Sequence, residues 1–273
     1  MRKKKTIIIF SVVVLLLLSC FLISSQFVKI GGSFYNVNSE KVSIFRDVLE
    51  KKDLHKFSKF KNLKDLTIVS SGVSDFSELP YISTLESITL GGDDIDDINF
   101  ITKFSNLKCV GLAVNNISDI SPLLKLHMLK ELHISKNPIR DLSPLSNLDG
   151  LEKLNISQVP TSNIDGIKGC VSLKVLYMTG CKCSDISGIS SLENLEDLSL
   201  SINHVSDISS LSELKNLKKL DLCANPVKDI TPLMGLSQLE TLSFDKNNIP
   251  DSDIEKLKNV LPHCNILVAE IND

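Results

Sequence analysis

A leucine recurs along this chain at an unbroken spacing of 22 residues, and this spacing limits the possible folds more than any other feature. The sites three and five residues after each leucine are also apolar, so 27 of 27 sites are filled by apolar residues in a chain that is 42% hydrophobic. The three columns are Leu63, Leu85, Leu107, Leu129, Leu151, Leu173, Leu195, Leu217 and Leu239; Leu66, Ile88, Val110, Leu132, Leu154, Leu176, Leu198, Leu220 and Leu242; and Ile68, Leu90, Leu112, Ile134, Ile156, Met178, Leu200, Leu222 and Phe244. Chance would produce this pattern with a probability on the order of 10⁻¹⁰, so the sequence predicts a stack of repeated structural units.

Each unit contains a short strand followed by a turn with its own polar residues. The second and third columns are two residues apart, which predicts a strand with these residues inward and the intervening residue outward. At the ninth position of the unit an asparagine can bond backbone groups of the turn, both within its coil and toward the next coil. At the thirteenth position an aspartate can cap a helical turn. The asparagines are Asn115, Asn137, Asn203, Asn225 and Asn247, and the aspartates are Asp75, Asp97, Asp119, Asp141, Asp185, Asp207 and Asp229.

Two segments carry the clearest family resemblance: residues 116–123 read NISDISPL and residues 137–145 read NPIRDLSPL. Together with the repeat over about residues 41–265, they resemble the 22-residue leucine-rich repeats of the bacterial internalin family. The resemblance implies a curved right-handed solenoid that binds another protein on its concave face, and it brings no catalytic residues. We predict an α/β repeat fold with a parallel concave sheet and short 3-10 or turn segments on the convex side.

Caps are expected at both ends, because a terminal unit would otherwise expose its leucines. Residues 27–35 predict a small hairpin around Gly31 and Gly32, and residues 253–261 have helical spacing. The predicted segments are 1–25, an export signal or membrane anchor; 26–62, an N-terminal hairpin and degenerate capping repeat; 63–250, the leucine-rich-repeat array; and 251–273, a C-terminal cap.

The start of the chain has the pattern of an export segment. Residues 2–5 are basic and residues 7–23 carry no charge, and as a helix this run would span about 25 Å of a hydrocarbon core of about 30 Å. The residues that end at Cys20 read LLSC and resemble a bacterial lipobox, in which the cysteine is lipidated. An uncleaved helical anchor and cleavage after Ser25 are the alternatives. We predict an extracytoplasmic protein held at the membrane by lipidated Cys20 or by an uncleaved N-terminal helix.

The groups that could carry chemistry all have structural explanations. Cys181 and Cys183 are separated by one residue instead of the two to four of a zinc site, and both fall on repeat positions. The acidic stretch at residues 91–97 does not follow the EF-hand pattern, and the five histidines form no catalytic or metal motif. The net charge of −3 is weakly acidic, which gives no basis for non-specific nucleic-acid binding. We predict no enzymatic activity, no cofactor, no metal site and no nucleic-acid partner.

A protein partner is expected on the outward face of the sheet in the middle units. These units carry the bulkiest outward groups, His133 and Tyr177, and amphipathic side chains of this kind favour interfaces. The predicted partner-binding residues are Glu131, His133, Lys153, Asn155, Tyr177, Asp197, Ser199, Lys219 and Asp221. The chain is expected to act as a monomer. The alternatives are a small-ligand or glycan-sensing surface protein and an intracellular phosphatase-regulating repeat protein, which shares the 22-residue unit.

The chemistry of Cys20 distinguishes the two predicted tethers. If Cys20 is lipidated, cells fed a labelled fatty acid should label the protein, and Cys20→Ser should abolish the label because the acceptor thiol is lost. An uncleaved helix would instead keep an unlabelled protein in the membrane fraction. Label that persists in Cys20→Ser would exclude lipidation at this site.

Overall fold

In the computed structural model, which describes residues 26–162, 164–246 and 249–269, the chain winds into a solenoid of stacked coils. Each coil contributes one strand to an 11-stranded parallel sheet, in which neighbouring strands follow chain order. The strands are β1 (Phe27–Ile30) and β2 (Ser33–Asn36), which form a separate hairpin, and then β3 (Lys41–Phe45), β4 (Asp65–Val69), β5 (Ser87–Gly91), β6 (Cys109–Gly111), β7 (Glu131–His133), β8 (Lys153–Asn155), β9 (Val175–Tyr177), β10 (Asp197–Ser199), β11 (Lys219–Asp221), β12 (Thr241–Asp245) and β13 (Asn265–Ala269). The predicted repeat fold is therefore confirmed. The leader with Cys20, and Asn247 of the asparagine column, lie outside the described residues.

The strand register reproduces the spacing found in the sequence. From β4 to β12 each residue pairs with its equivalent one repeat further on, as Leu132 does with Leu154 and Leu154 with Leu176. Only the first and last pairs of the sheet, β3 with β4 and β12 with β13, have a longer offset along the chain. Every residue of the three apolar columns is at most 3% exposed, so each coil covers the apolar side chains of its neighbour.

Short 3-10 helices connect most neighbouring strands of the parallel sheet. They are η1 (Lys51–Lys59), η2 (Asn99–Lys103), η3 (Ser121–Lys125), η4 (Ser143–Asn147), η5 (Asp165–Ile167), η6 (Ser187–Ser191), η7 (Ser209–Glu213) and η8 (Thr231–Gly235). Each of the seven predicted aspartates accepts a hydrogen bond from the backbone N–H two residues later, at 2.7–2.9 Å. At Asp141 this bond from Ser143 lowers the pKa of the carboxyl. The aspartates therefore start the turns, as the sequence predicts.

The asparagine column satisfies backbone groups between coils. Asn137 Nδ2 donates to the carbonyl oxygens of Leu112 and Ile134 at 2.9 and 3.0 Å, and its Oδ1 accepts the Ile117 N–H at 3.0 Å. Asn115, Asn203 and Asn225 make the same carbonyl contacts within their own coil and with the preceding one. These bonds confirm that the amide satisfies backbone groups inside the stack, but its bonds between coils run to the preceding coil instead of the next one.

The two ends of the array carry additional elements. The hairpin of β1 and β2 stands at the predicted N-terminal position, with antiparallel pairing of Phe27 with Asn36. At the other end α1 (Asp251–Val260) begins two residues before the predicted helix and is followed by β13, which completes the sheet. Within the described residues, no helix combines the length and apolar character needed to cross a membrane.

Asp93 occupies an asparagine position of the column, and half of its carboxylate lacks a donor. Oδ1 accepts the backbone N–H groups of Ser71 and Gly72 at 2.5 and 2.7 Å, whereas the buried Oδ2 has no hydrogen-bond partner. We predict that Asp93→Asn raises the free energy of unfolding by about 1 kcal/mol, because its amide would donate to carbonyls as Asn115 does. Urea denaturation measures the change.

The reverse substitution at an intact position is the matched control. Asn137→Asp replaces the amide that donates to Leu112 with a carboxylate oxygen and should lower the unfolding midpoint. If Asp93→Asn also lowered the midpoint, the unpaired Oδ2 would not be a source of instability.

Candidate binding face

The predicted partner-binding residues lie on the outward side of β3–β13, which we call the sheet face. Residue-by-residue pairing of β7 to β11 aligns them in two columns, and at about 4.8 Å between strands each column spans about 19 Å or less. The columns are His133, Asn155, Tyr177, Ser199 and Asp221, and, two residues earlier in each strand, Glu131, Lys153, Asp197 and Lys219. The fold thus brings all nine residues onto one surface, while their role in binding stays a prediction.

Carboxylates of the second column hold the two ring side chains of the first column, Tyr177 and His133. Tyr177 donates its hydroxyl to Asp197 Oδ2 at 3.0 Å, and His133 Nε2 lies 2.8 Å from Glu131 Oε1. Burial, and then the neighbouring Asp197, raise the pKa of Tyr177, so its hydroxyl remains a donor at neutral pH. The shorter Asn155 between the two rings leaves a depression of about 160 Å³. A side chain of a partner could insert between these two positioned rings.

A hydroxyl network covers the sheet face on the C-terminal side of Tyr177. Thr179 Oγ1 lies 2.9 Å from Ser199 Oγ, and Ser199 Oγ lies 3.3 Å from Ser201 Oγ. Ser243 donates to Asp221 Oδ1 at 2.9 Å. None of these hydroxyls bonds a histidine in the part of the chain that the structure describes, so the network lacks the paired base that would activate a serine nucleophile.

A second depression, which the sequence reasoning missed, lies toward the N-terminal end of the sheet face. Gly91, Gly111 and Ala113 form its floor, Val114 and His133 border it, and its volume is about 370 Å³. A Cβ on Gly91 would lie 2.9 Å from the Ala113 carbonyl oxygen, so the approach of the two coils requires glycine there. The sequence signal is the lack of side chains at neighbouring outward sites, whereas the prediction relied on bulky ones. We call this depression the apolar groove.

The residue after the sheet face adopts a left-handed backbone in most coils. Val114 and Ile202 do so with φ of 61° and 58°, although β-branched residues strongly disfavour this conformation. Their side chains are 52% and 62% exposed. The repeat therefore imposes this backbone conformation on Val114 and Ile202, as it does on the equivalent residues of other coils. The equivalent residues in other coils are Ser70, Gly92, Lys136, Gln158, Gly180 and Ala224.

Ion pairs between coils line the edge of the sheet where the strands begin. They join residues one position after the column leucines, and the N–O distances run from 2.7 to 3.3 Å. In Glu86, Glu152 and Glu196 the neighbouring lysines lower the pKa of the carboxyl. The pairs are Lys108 with Glu86, Lys130 and Lys174 with Glu152, and Lys218 with Glu196. Each exposed pair contributes little to stability, but together the pairs neutralise the lysine and glutamate charges along this edge.

Three of the cysteines that could suggest a metal or a nucleophile, Cys170, Cys181 and Cys183, are packed in the core. Burial raises the pKa of Cys170 to about 12 and that of Cys181 and Cys183 to about 11. The Cys181 thiol donates to the Ile156 carbonyl at 3.2 Å, in the place of the missing asparagine. Among the described residues, no group of three or more His, Cys, Asp or Glu side chains is arranged to hold a metal ion.

Comparisons with known proteins agree with this architecture. A family model described as leucine-rich repeats (two copies) matches residues 171–213 and 193–233. The structure is similar to that of an internalin C2 from Listeria monocytogenes, with a TM-score of 0.64, 27% identity and coverage of 69% of this chain and 82% of that chain. It is also similar to an internalin, InlF, from the same bacterium, with a TM-score of 0.64, 21% identity and coverage of 88% and 86%.

More distant structures share the fold. A plant peptide hormone receptor, solved in complex with RGF2, has a TM-score of 0.56 and 18% identity over 86% of this chain and 38% of that chain. A search of the curated proteins gave no significant match. The fold is therefore a leucine-rich-repeat solenoid, a class of protein that generally mediates protein–protein interactions. The structure of this chain is similar to those of the Listeria internalins, and this similarity supports the resemblance found in the sequence.

The strained backbone at Val114 predicts a gain in stability on substitution. Val114→Asn should raise the free energy of unfolding by about 1 kcal/mol, because asparagine tolerates the left-handed conformation that valine disfavours. The midpoint of urea denaturation measures this change. Lys136→Asn is the matched control, since Lys136 has a φ of 55° at the same repeat position but is not β-branched. A gain no larger than that of the control would show that Val114 is not strained.

Proposed function

We propose that this chain is a non-catalytic binding module of a bacterium that takes a protein partner on its sheet face. The observation that carries the proposal is the alignment of Tyr177 and His133 around an open depression on a continuous sheet. Both side chains are positioned by carboxylates before any partner arrives, which lowers the entropy lost on binding. Leucine-rich-repeat folds are typically non-enzymatic scaffolds, which agrees with this role.

The size and shape of the sheet face favour a protein over a small molecule. The depression over Asn155 and the apolar groove open on the same face, with His133 bordering both. Specific protein interfaces use about 800 Å² per partner and a few well-packed anchors, which an extended face of this kind can supply. The partner would place one side chain between the rings of Tyr177 and His133 and an apolar side chain in the groove.

The proposed location is the outer side of the cell membrane, with the chain acting as a monomer. The basic residues 2–5 and the uncharged residues 7–23 support a tether, through lipidated Cys20 or an uncleaved helix. Internalin-like relatives are typically surface or secreted proteins, which is consistent with export. Cleavage by an added protease on intact cells tests this placement directly.

Truncating Tyr177 tests the sheet face as the binding site. Tyr177→Ala should lower the affinity for the partner by about thirtyfold, because removal of a central aromatic anchor typically costs about 2 kcal/mol of binding free energy. Tyr177→Phe separates the ring from the hydroxyl that bonds Asp197 and should lose less affinity. The partner is first trapped by a photoreactive phenylalanine analogue at position 177 in living cells, and its affinity for each variant is then measured by titration.

Tyr81 offers a control of the same residue type. It is 61% exposed and lies outside the strands, so Tyr81→Ala should leave binding unchanged. Melting temperatures should stay close to that of the parent for Tyr177→Ala, because the side chain is outside the core. Normal binding by both Tyr177→Ala and His133→Ala, combined with loss of binding in Tyr81→Ala, would overturn the proposed site.

A further inference from the structure

The exposed phenylalanines of the described chain all lie close to its N-terminal end. Phe27, Phe34 and Phe45 are 45%, 70% and 62% exposed. Elsewhere in the described ranges every phenylalanine is at most 8% exposed, as the fold would require of such a large apolar side chain. Val48, in the same segment, is 80% exposed. Residues 26–62, which we call the N-terminal cap, therefore expose an apolar surface that the array does not use.

The hairpin places two of these phenylalanines beside a lysine. Val28 and Ile30 of β1 are buried, so the alternating residues Phe27 and Lys29 face outward. Lys29 pairs with Phe34 across the hairpin, which puts Phe34 on the same outward face. Lys29 Nζ lies 5.9 Å from the centroid of the Phe34 ring. Aromatic rings next to a cation suit the interfacial region of a lipid bilayer, where apolar and charged groups meet.

The second exposed segment of the N-terminal cap is joined to the hairpin turn. Asp47 Oδ2 accepts the Gly32 N–H at 2.9 Å, which fixes the loop between Phe45 and Val48 against the turn. Arg46 has a left-handed φ of 54°, and its backbone turns the chain where β3 ends. Phe27 and Phe34 therefore share the outward face of the hairpin, and the loop that carries Val48 adjoins the hairpin turn.

Charge is distributed unequally between the N-terminal cap and the rest of the chain. Residues 26–62 contain eight basic and four acidic residues, a net charge of +4. Residues 63–273 contain 18 basic and 29 acidic residues, a net charge of −11. The basic end of the molecule is the end that follows the leader. An anionic lipid surface would attract this end and repel the array.

The leader brings this surface close to the bilayer by either tether. Residue 23, the end of the uncharged run, stands four residues before Phe27, and Cys20 stands seven residues before it. At no more than about 3.6 Å per extended residue, Phe27 remains within about 25 Å of the membrane. We propose that the N-terminal cap lies on an anionic phospholipid surface, with Phe27 and Phe34 in the headgroup region and Lys29 against lipid phosphates. This inference rests on the membrane tether of the proposed function.

Contact through the N-terminal cap would set the orientation of the solenoid. The cap contains β3, the first strand of the parallel sheet, so the remaining strands follow away from it one coil at a time. With the cap on the membrane, the acidic array would point away from the lipid. The sheet face would then be open to a partner along its length.

The absence of tryptophan from the chain permits a direct test with a single fluorescent probe. The full chain carrying Phe34→Trp is reconstituted in vesicles of phosphatidylcholine and phosphatidylglycerol, with or without brominated acyl chains that quench tryptophan. Val171→Trp is the matched control, because Val171 is 47% exposed but lies far along the array. We expect bromolipid to quench the tryptophan fluorescence of Phe34→Trp at least about threefold more strongly than that of the control, because an interfacial residue lies close to the acyl chains. Adding Lys29→Glu should reduce this quenching.

Flotation of the same vesicles separates failure of this proposal from failure of the tether. If the chain floats with the vesicles but Phe34→Trp is quenched no more than Val171→Trp, the cap does not contact lipid and the tether still stands. A blue-shifted emission without bromolipid quenching would place Phe34 in a contact between proteins and would also overturn the proposal. If the chain does not float, the tether and the lipid contact are both wrong.

Discussion

The stacking of three apolar columns is the interaction on which the rest of this structure depends. A column residue such as Leu154 is buried by its equivalents in the coils before and after it. Burial of one such side chain contributes about 1.5–3 kcal/mol, and the contribution exists only while the neighbouring coil is in place. The strands must therefore repeat in register. That requirement also aligns the outward residues, which become continuous columns on the sheet face.

Close stacking of coils buries backbone N–H and C=O groups, which then need hydrogen-bond partners. The polar positions of the repeat supply these partners. An amide at the ninth position serves its own coil and the preceding one, since it offers a donor and an acceptor in one side chain. Cys181 supplies only a thiol donor at this position, and Asp93 supplies only acceptors. The coils that carry these residues keep the apolar stack but lose part of the polar network. Local weakness of this kind is tolerated because each coil has two neighbours.

The surfaces left over after these constraints are satisfied differ along the molecule. The N-terminal cap exposes phenylalanine and positive charge, and the coils that follow expose the apolar groove. The middle coils present His133 and Tyr177, and the last coils present hydroxyl groups and Asp221. A single scaffold can thus offer separate surfaces to a lipid bilayer and to a protein partner. Most outward side chains of these surfaces lie outside the apolar columns and can vary without loss of the fold, whereas the close approach of two coils requires glycine at Gly91.

The sequence by itself determined the repeat, the inward columns, the turn aspartates and the asparagine bonds, because each of these depends only on the period of the repeat. It also determined that Tyr177 and His133 share a face, since strand alternation and register are enough for that. The tertiary structure alone decided the apolar groove, because a depression depends on which side chains are missing from adjacent coils. It alone revealed the left-handed backbone of Val114 and the unpaired Oδ2 of Asp93. Such features depend on how particular residues of neighbouring coils fit together. A periodic pattern shows which positions are equivalent, but it does not show the empty space, backbone strain or unpaired polar atom at one of them.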